Sequence, residues 1–299
     1  MHRKIHSSYL GILLLLLTIS AFLRLPFLTT IPPGGANVLV LRLPSAIAGI
    51  FSIFFLVEII KRSTSNSQLA ILTGVIFSLM PWHIEQSRVH SEVMLGVTTI
   101  LAGIYASQLF TSRLTSMAIL LISSGIFFGV YRDFWLFSGQ SLLPNLYYIL
   151  GNIFKLLSFE FLFLKNDSFW SGGFRIIGTM LSSFLVPFCI GLVVVSKKLE
   201  WHNSVLVFCI LIILFISALN PLFPEQSEFF LVSPIFSFIL ANGIYYLLKR
   251  FHSIHGAYKI VYFAWICMVI YEHVLFLHFY ITHYSNRIQN EIPYDKRTF

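Results

Sequence analysis

Carboxylates are the scarcest feature of this sequence: Asp and Glu total 12 in 299 residues, against 20 Lys and Arg, and none precedes Glu58. Charge of either sign makes up only 11% of the chain. The net charge of +8 lacks the basic runs that a nucleic-acid partner would need, because Lys and Arg stand singly or in pairs between apolar stretches. No nucleic acid is expected. Cysteine is equally sparse: Cys189, Cys209 and Cys267 each sit inside an apolar run without a CxxC neighbour, and read as small buried hydrophobes. No low-complexity tract, linker or soluble-domain pattern interrupts the chain. The similar Arg24-Leu25-Pro26 and Arg42-Leu43-Pro44 have no repeated surroundings, so no internal repeat is read.

What is present is hydrocarbon. Hydrophobic residues make up 57% of the chain, Phe alone occurs 31 times, and the mean hydropathy is +0.82. Apolar runs of about 20 residues recur from one end to the other, the length that crosses roughly 30 Å of bilayer core. A soluble domain would show amphipathic periods instead. The expectation is an all-α, polytopic membrane protein, one integral domain over residues 1–299, with nine spans near 8–28, 38–60, 68–83, 92–110, 115–135, 174–195, 203–220, 229–249 and 257–280. The first is read as a retained span, since no small-residue cleavage site follows it. The third is short and is expected to continue as an interfacial helix through Glu85.

Basic residues orient the spans. With the amino terminus cytoplasmic, the inner turns carry Arg3, Lys4, Lys61, Arg62, Arg113, Lys197, Lys198, Lys249, Arg250 and Lys259, which is 10 of the 20 Lys and Arg. The tail 282–299 then falls outside, and the location expected is the cytoplasmic (plasma) membrane. Three outer segments follow: 80–95, the stretch from Arg132 to Phe174 with its apolar 159–164 core read as re-entrant or surface-lying, and Asn220-Pro221-Leu222-Phe223-Pro224-Glu225-Gln226-Ser227-Glu228, where two prolines fix a turn carrying two acids. They are expected to converge on one outer cavity.

The segment 80–95 gathers Trp82, His83, Glu85, Arg88, His90 and Glu92 between two apolar runs. Ionisable residues near a bilayer are kept chiefly where they pair, line water or do chemistry. Glu92 opens the fourth span, placed to accept a proton or, equally, to meet a helix dipole in the first turn. Glu85 is the second carboxylate, in a turn where solvated charge is ordinary. Arg88 has the donor fork that suits a lipid phosphate, or serves as a headgroup-level anchor. His83 and His90, seven apart, share a face only if their helix is unbroken. A metal would need a third ligand, so paired interfacial imidazoles are the plainer reading. His273, His278 and His283 are five apart and cannot share a helix face, so no metal site is assigned there. Glu58 is expected to pair with Lys61 and Arg62 at i+3 and i+4. Trp82, Trp135, Trp170 and Trp201 are expected in the aromatic belts at span ends.

Arg42-Leu43-Pro44-Ser45-Ala46 opening the second span, Pro81-Trp82-His83 closing the third, and Ser87-Arg88 followed by Glu92 together resemble membrane glycosyltransferases of the GT-C superfamily, in the branch of protein O-mannosyltransferases and aminoarabinose transferases (family 39-like). Phe159-Glu160-Phe161-Leu162-Phe163-Leu164-Lys165-Asn166-Asp167 and Gly172-Gly173-Phe174 look like the outer loop of its bacterial members, and the Pro224 turn with Ser233-Pro234 like their next one. The resemblance implies a GT-C fold and transfer of a sugar from a polyprenyl-phosphate donor, among membrane lipids, to an acceptor at the outer face. It implies Glu92, and secondarily Glu85, as catalytic carboxylates. Arg88, His90, His83, Arg132 and Lys165 would hold the departing lipid phosphate, with or without a divalent metal. The resembling enzymes carry a long first outer loop whose acid, usually in an Asp-Glu pair, is the base. Here 29–37 must serve as that loop and contains no acid. They often carry an outer soluble domain as well, and none is expected here. The expectation is a glycosyltransferase-type protein without its first-loop base. The alternative is a non-catalytic membrane subunit or polyprenyl-phosphate carrier.

Overall fold

A computed structural model of the chain describes residues 2–25, 36–88, 91–110, 151–155, 157–164, 180–197, 226–251 and 256–282, with isolated positions between 115 and 150. Every regular element among the described residues is helical. The elements are α1 (His2–Arg24), α2 (Ala36–Thr64), α3 (Ser67–Leu79), α4 (Pro81–Arg88) and α5 (Glu92–Ser107). A π-helical turn (Glu160–Leu164) and a 3-10 turn (Ser182–Phe184) precede α6 (Leu185–Lys197), and α7 (Gln226–Phe251) and α8 (Gly256–Thr282) complete the set.

Three stretches are long and apolar enough to cross a membrane: Arg42–Thr64, Val232–Phe251 and Lys259–Thr282. The bent pair α3–α4 makes a fourth if it counts as one span. The other apolar helices, Ser8–Arg24, Val93–Ser107 and Ser182–Lys197, are shorter. Of the spans read from sequence, 115–135 is described only at isolated positions and 203–220 lies outside the described residues. The exterior presents large apolar side chains such as Phe22 (74% exposed), Val40 (73%) and Ile260 (72%), a surface suited to hydrocarbon and not to water.

Helix α2 is the central post, packing on α1, α3, α4 and α5, while α7 packs on α6, α3 and α5. The inward stripe of α2 (Ile53, Leu56, Val57, Ile60) is almost wholly buried. Pro44 lies inside α2, with its ring exposed, and does not open the helix; the apolar stretch proper begins at Arg42. Helices α6 and α7 approach until their backbones touch. A Cβ on Gly243 would coincide with the carbonyl of Pro187, and one on Gly191 with the carbonyl of Ile239. Small residues at such crossings are how helices pack when lipid removes the hydrophobic drive between them.

The two ends of the bundle differ chemically. At one end Tyr9 donates to Glu58 (2.7 Å), whose carboxylate also meets Lys61 (3.8 Å) and Arg62 (4.0 Å), the i+3 and i+4 pairing expected from sequence. Gln108 to Ser63 (3.1 Å) and Tyr245 to Gln68 (3.5 Å) tie α5 and α7 to that same end. The opposite end holds the carboxyl ends of α1, α3 and α8, the amino ends of α2 and α5, and all of α4.

Several expectations are corrected. Trp82 is 2% exposed and packs edge-on against Phe77 (5.8 Å between centroids), so it is a core residue and no belt anchor; Trp135, Trp170 and Trp201 lie outside the described residues. Cys189 and Cys267 are exposed, not buried, because an apolar run does not say which face looks inward; Cys209 is not among the described residues. In the 159–164 core, Glu160–Leu164 form a short π-helical turn. Its Leu162 and Phe163 are buried (3% each), with Met180 N donating to Leu162 O (2.7 Å).

Candidate functional site

The segment 80–95 builds the second end of the bundle, and it does so through a break. Pro81 has no N–H to continue α3 and disfavours helical backbone at the residue before it. Met80 accordingly takes φ −59° and ψ 130°, and α4 leaves α3 at 62°. All eight residues of α4 are buried. The helix therefore lies inside the bundle, which corrects the sequence expectation of a solvated Glu85. Glu85 is 5% exposed, not solvated. His90 lies outside the described residues, and with it the expectation that His83 and His90 share a helix face.

Burial of α4 depends on α2. Arg42, Ser45, Gly49 and Ser52 recur at spacings of three, four and three, which puts them on one helix face. All four are buried. Gly49 is the contact point: a Cβ there would stand 2.6 Å from the Cβ of Ser87. Ser45 accepts from Ser91 N (3.0 Å), and Ser91 in turn caps α5 through Met94 N (3.2 Å) and donates to Gln86 Oε1 (3.0 Å). Glu92 is the first residue of α5; its side chain lies outside the described positions.

Two arginines hold the helix ends together. Arg24, wholly buried, donates to Ser78 O (2.8 Å), one of the carbonyls that α3 leaves without a helical partner, and to Ser20 O and Oγ (3.1 and 2.9 Å). Its second terminal nitrogen also meets His83 Nδ1. Arginine only donates, so His83 Nδ1 accepts and its proton resides on Nε2. That nitrogen lies 3.1 Å from Ser52 Oγ, which donates to Gly49 O at 2.8 Å. A directed chain thus runs from α1 through α4 into α2. Arg24 Nε has no partner among the described residues and faces Gly49, 3.4 Å from where a Cβ would be. Arg88 does for α1 what Arg24 does for α3, donating to Leu23 O (2.9 Å), and its guanidinium lies 5.6 Å from the ring centroid of Tyr280. Tyr280, on α8, is in turn within electrostatic reach of Glu85 and Arg42.

The site therefore has two layers. Arg24, His83 and Ser52 form an inner, fully enclosed one (0% exposed each), and Arg42, Glu85, Arg88 and Tyr280 an outer one at 8%, 5%, 6% and 2%. Three buried arginines stand against the carboxylate of Glu85, with Glu92 opening α5 alongside. Of the residues expected from sequence, His83, Glu85 and Arg88 are brought together and Glu92 begins the adjoining helix; Arg132 and Lys165 lie outside the described residues. Sequence reading passed over Arg24, Gly49, Ser52 and Tyr280. The heptad-like spacing of polar and small residues in α2 was the available signal for two of them. Among the described residues no three His, Cys, Asp or Glu side chains gather as a metal would require.

No known protein family, curated protein or solved structure matches this chain.

Proposed function

We propose that this chain is a GT-C-type multi-pass membrane protein, nine spans in all, that holds the phosphate of a polyprenyl-phosphate sugar in its outer cationic layer. The observation that carries the reading is the gathering of the buried Arg24, Arg42 and Arg88 where the ends of α1, α2, α3, α5 and α8 meet. The donor fork of arginine suits the oxygens of a lipid phosphate. Arg24 is fully enclosed, so Arg42 and Arg88 of the outer layer are the cations assigned to the headgroup. In a transferase, an acceptor hydroxyl oxygen would bond to the anomeric carbon while its bond to the phosphate oxygen breaks. The proton would pass to a carboxylate and the charge to the polyprenyl phosphate. Glu92 is the carboxylate assigned to that proton.

The second reading, a carrier or subunit that keeps the lipid phosphate without the chemistry, is favoured by the lack of any acid in 29–37. The test is purified protein in nanodiscs offered a panel of polyprenyl-phosphate sugars. Lipid is expected to bind, about tenfold more weakly after Arg42→Gln, a loss of about 1.4 kcal/mol. Transfer is expected to stay at background. Turnover abolished by Glu92→Gln would make the protein a transferase with Glu92 as its base, and failure to bind any of the lipids would overturn both readings.

A further inference from the structure

Away from the cationic layers, an apolar crevice of about 150 Å³ lies between α3 and α8. Ile76 and Leu79 of α3 form its floor, Phe184 and Ile244 its sides, and Trp265 and Val269 of α8 its outer wall. An enclosed apolar cavity of roughly that volume stays dry and accepts a benzene-sized hydrocarbon; this one opens to the exterior. The wall is loosely held. The apolar stretch of α8 is only 6% buried, and its outer face, with Phe263 67% and Val274 58% exposed, suits a bilayer. Three of the hydrogen bonds that tie α8 to the bundle meet one residue of the 3-10 turn. Trp265 Nε1 donates to Ser183 O (2.7 Å), and Ser183 donates to Glu272 Oε2 from its N (3.1 Å) and its Oγ (2.6 Å).

The direction of the crevice says what enters it. Val269, His273, Phe276 and Tyr280 follow one stripe of α8, and the stretch from His273 to Tyr280 climbs about 10 Å. Tyr280 stacks with Arg88, so the apolar wall leads towards positive charge. An apolar body with an anionic end, reached from hydrocarbon, is an anionic membrane lipid. We infer that the crevice between α3 and α8 is a site for the hydrocarbon chain of an anionic bilayer lipid, with α8, clasped at Ser183, as the wall that yields to admit it. The site stands whether or not the cationic layer takes a polyprenyl phosphate.

Nanodiscs containing phosphatidylglycerol with a photoreactive diazirine at the chain end test it, with adducts mapped by mass spectrometry. Labelling of the outer face of α8 is expected from bulk lipid. Labelling at Ile76, 5% exposed and screened by α8, requires a chain in the crevice. Filling the crevice by Val269→Phe, or by Ile266→Phe should the first variant not fold, is expected to cut the Ile76 adducts at least fivefold and leave the α8 outer-face adducts unchanged. Glu272→Ala, which loosens the clasp, is expected to raise them severalfold. An unlabelled Ile76 beside a labelled α8, or Ile76 labelling indifferent to filling, would overturn the site. Equal labelling from a phosphatidylcholine probe would overturn its anionic character. Crevice labelling in a protein that binds no polyprenyl phosphate would leave this site standing while the functional reading falls.

Discussion

A buried guanidinium in an apolar helix is costly unless its donors are taken up, and Arg24 spends them on Ser20, Ser78 and His83. Arg24→Met and His83→Phe should therefore each cost about 3 kcal/mol. The double variant should lose less than the sum, by at least about 1 kcal/mol. Unfolding in detergent checks this, and strictly additive losses would mean that the two side chains do not cooperate. His83, Glu85 and Arg88 were legible in the sequence because charge stood out against hydrocarbon. Their partners were not, since Arg24 lies 59 residues from His83 and Leu23 lies 65 from Arg88. Glu58 shows the contrast: its partners Lys61 and Arg62 are one helical turn away, so helix geometry alone finds them.

At the scale of elements, the break at Met80-Pro81 and the backbone contact of α6 with α7 shape the molecule. Gly243 has no room for a side chain against Pro187, whereas Gly11 has nothing within 4 Å. Gly243→Leu is expected to cost about 3 kcal/mol or more by overpacking and to broaden the size-exclusion peak, while Gly11→Leu stays close to wild type. A stable, monodisperse Gly243→Leu protein would show that α6 and α7 do not pack as described. The sequence reading runs the third span to 83 and on as a helix through Glu85, so the break at Pro81 and the direction α4 takes are seen only in the structure. An eight-residue polar helix reads as a surface turn until α2 is seen to offer it a face of arginine, serine and glycine.

For the whole molecule, Lys61, Arg62, Lys249 and the start of α8 belong to one end, and Arg24, Arg42, Arg88 and Tyr280 to the other. The alternation expected from Lys and Arg would put the first group inside. A tag joined after Phe299 is accordingly expected to react with an impermeant label in intact cells; reaction only after permeabilisation would reverse the assignment.

What the sequence determined by itself is the helical class of this protein and helices long and apolar enough to cross a bilayer. In hydrocarbon, backbone polar groups must be satisfied within each segment, which a helix does. The sequence also marked 80–95 as the place where polarity needs an explanation. Only the tertiary structure decided what that explanation is. Hydrophobicity in a lipid-facing chain does not distinguish inside from outside, so it left open that Cys189 looks outward, that Trp82 is core, and that α4 is swallowed whole. Those outcomes rest on contacts between residues far apart in the chain, where one arginine closes the end of α3 and another the end of α1.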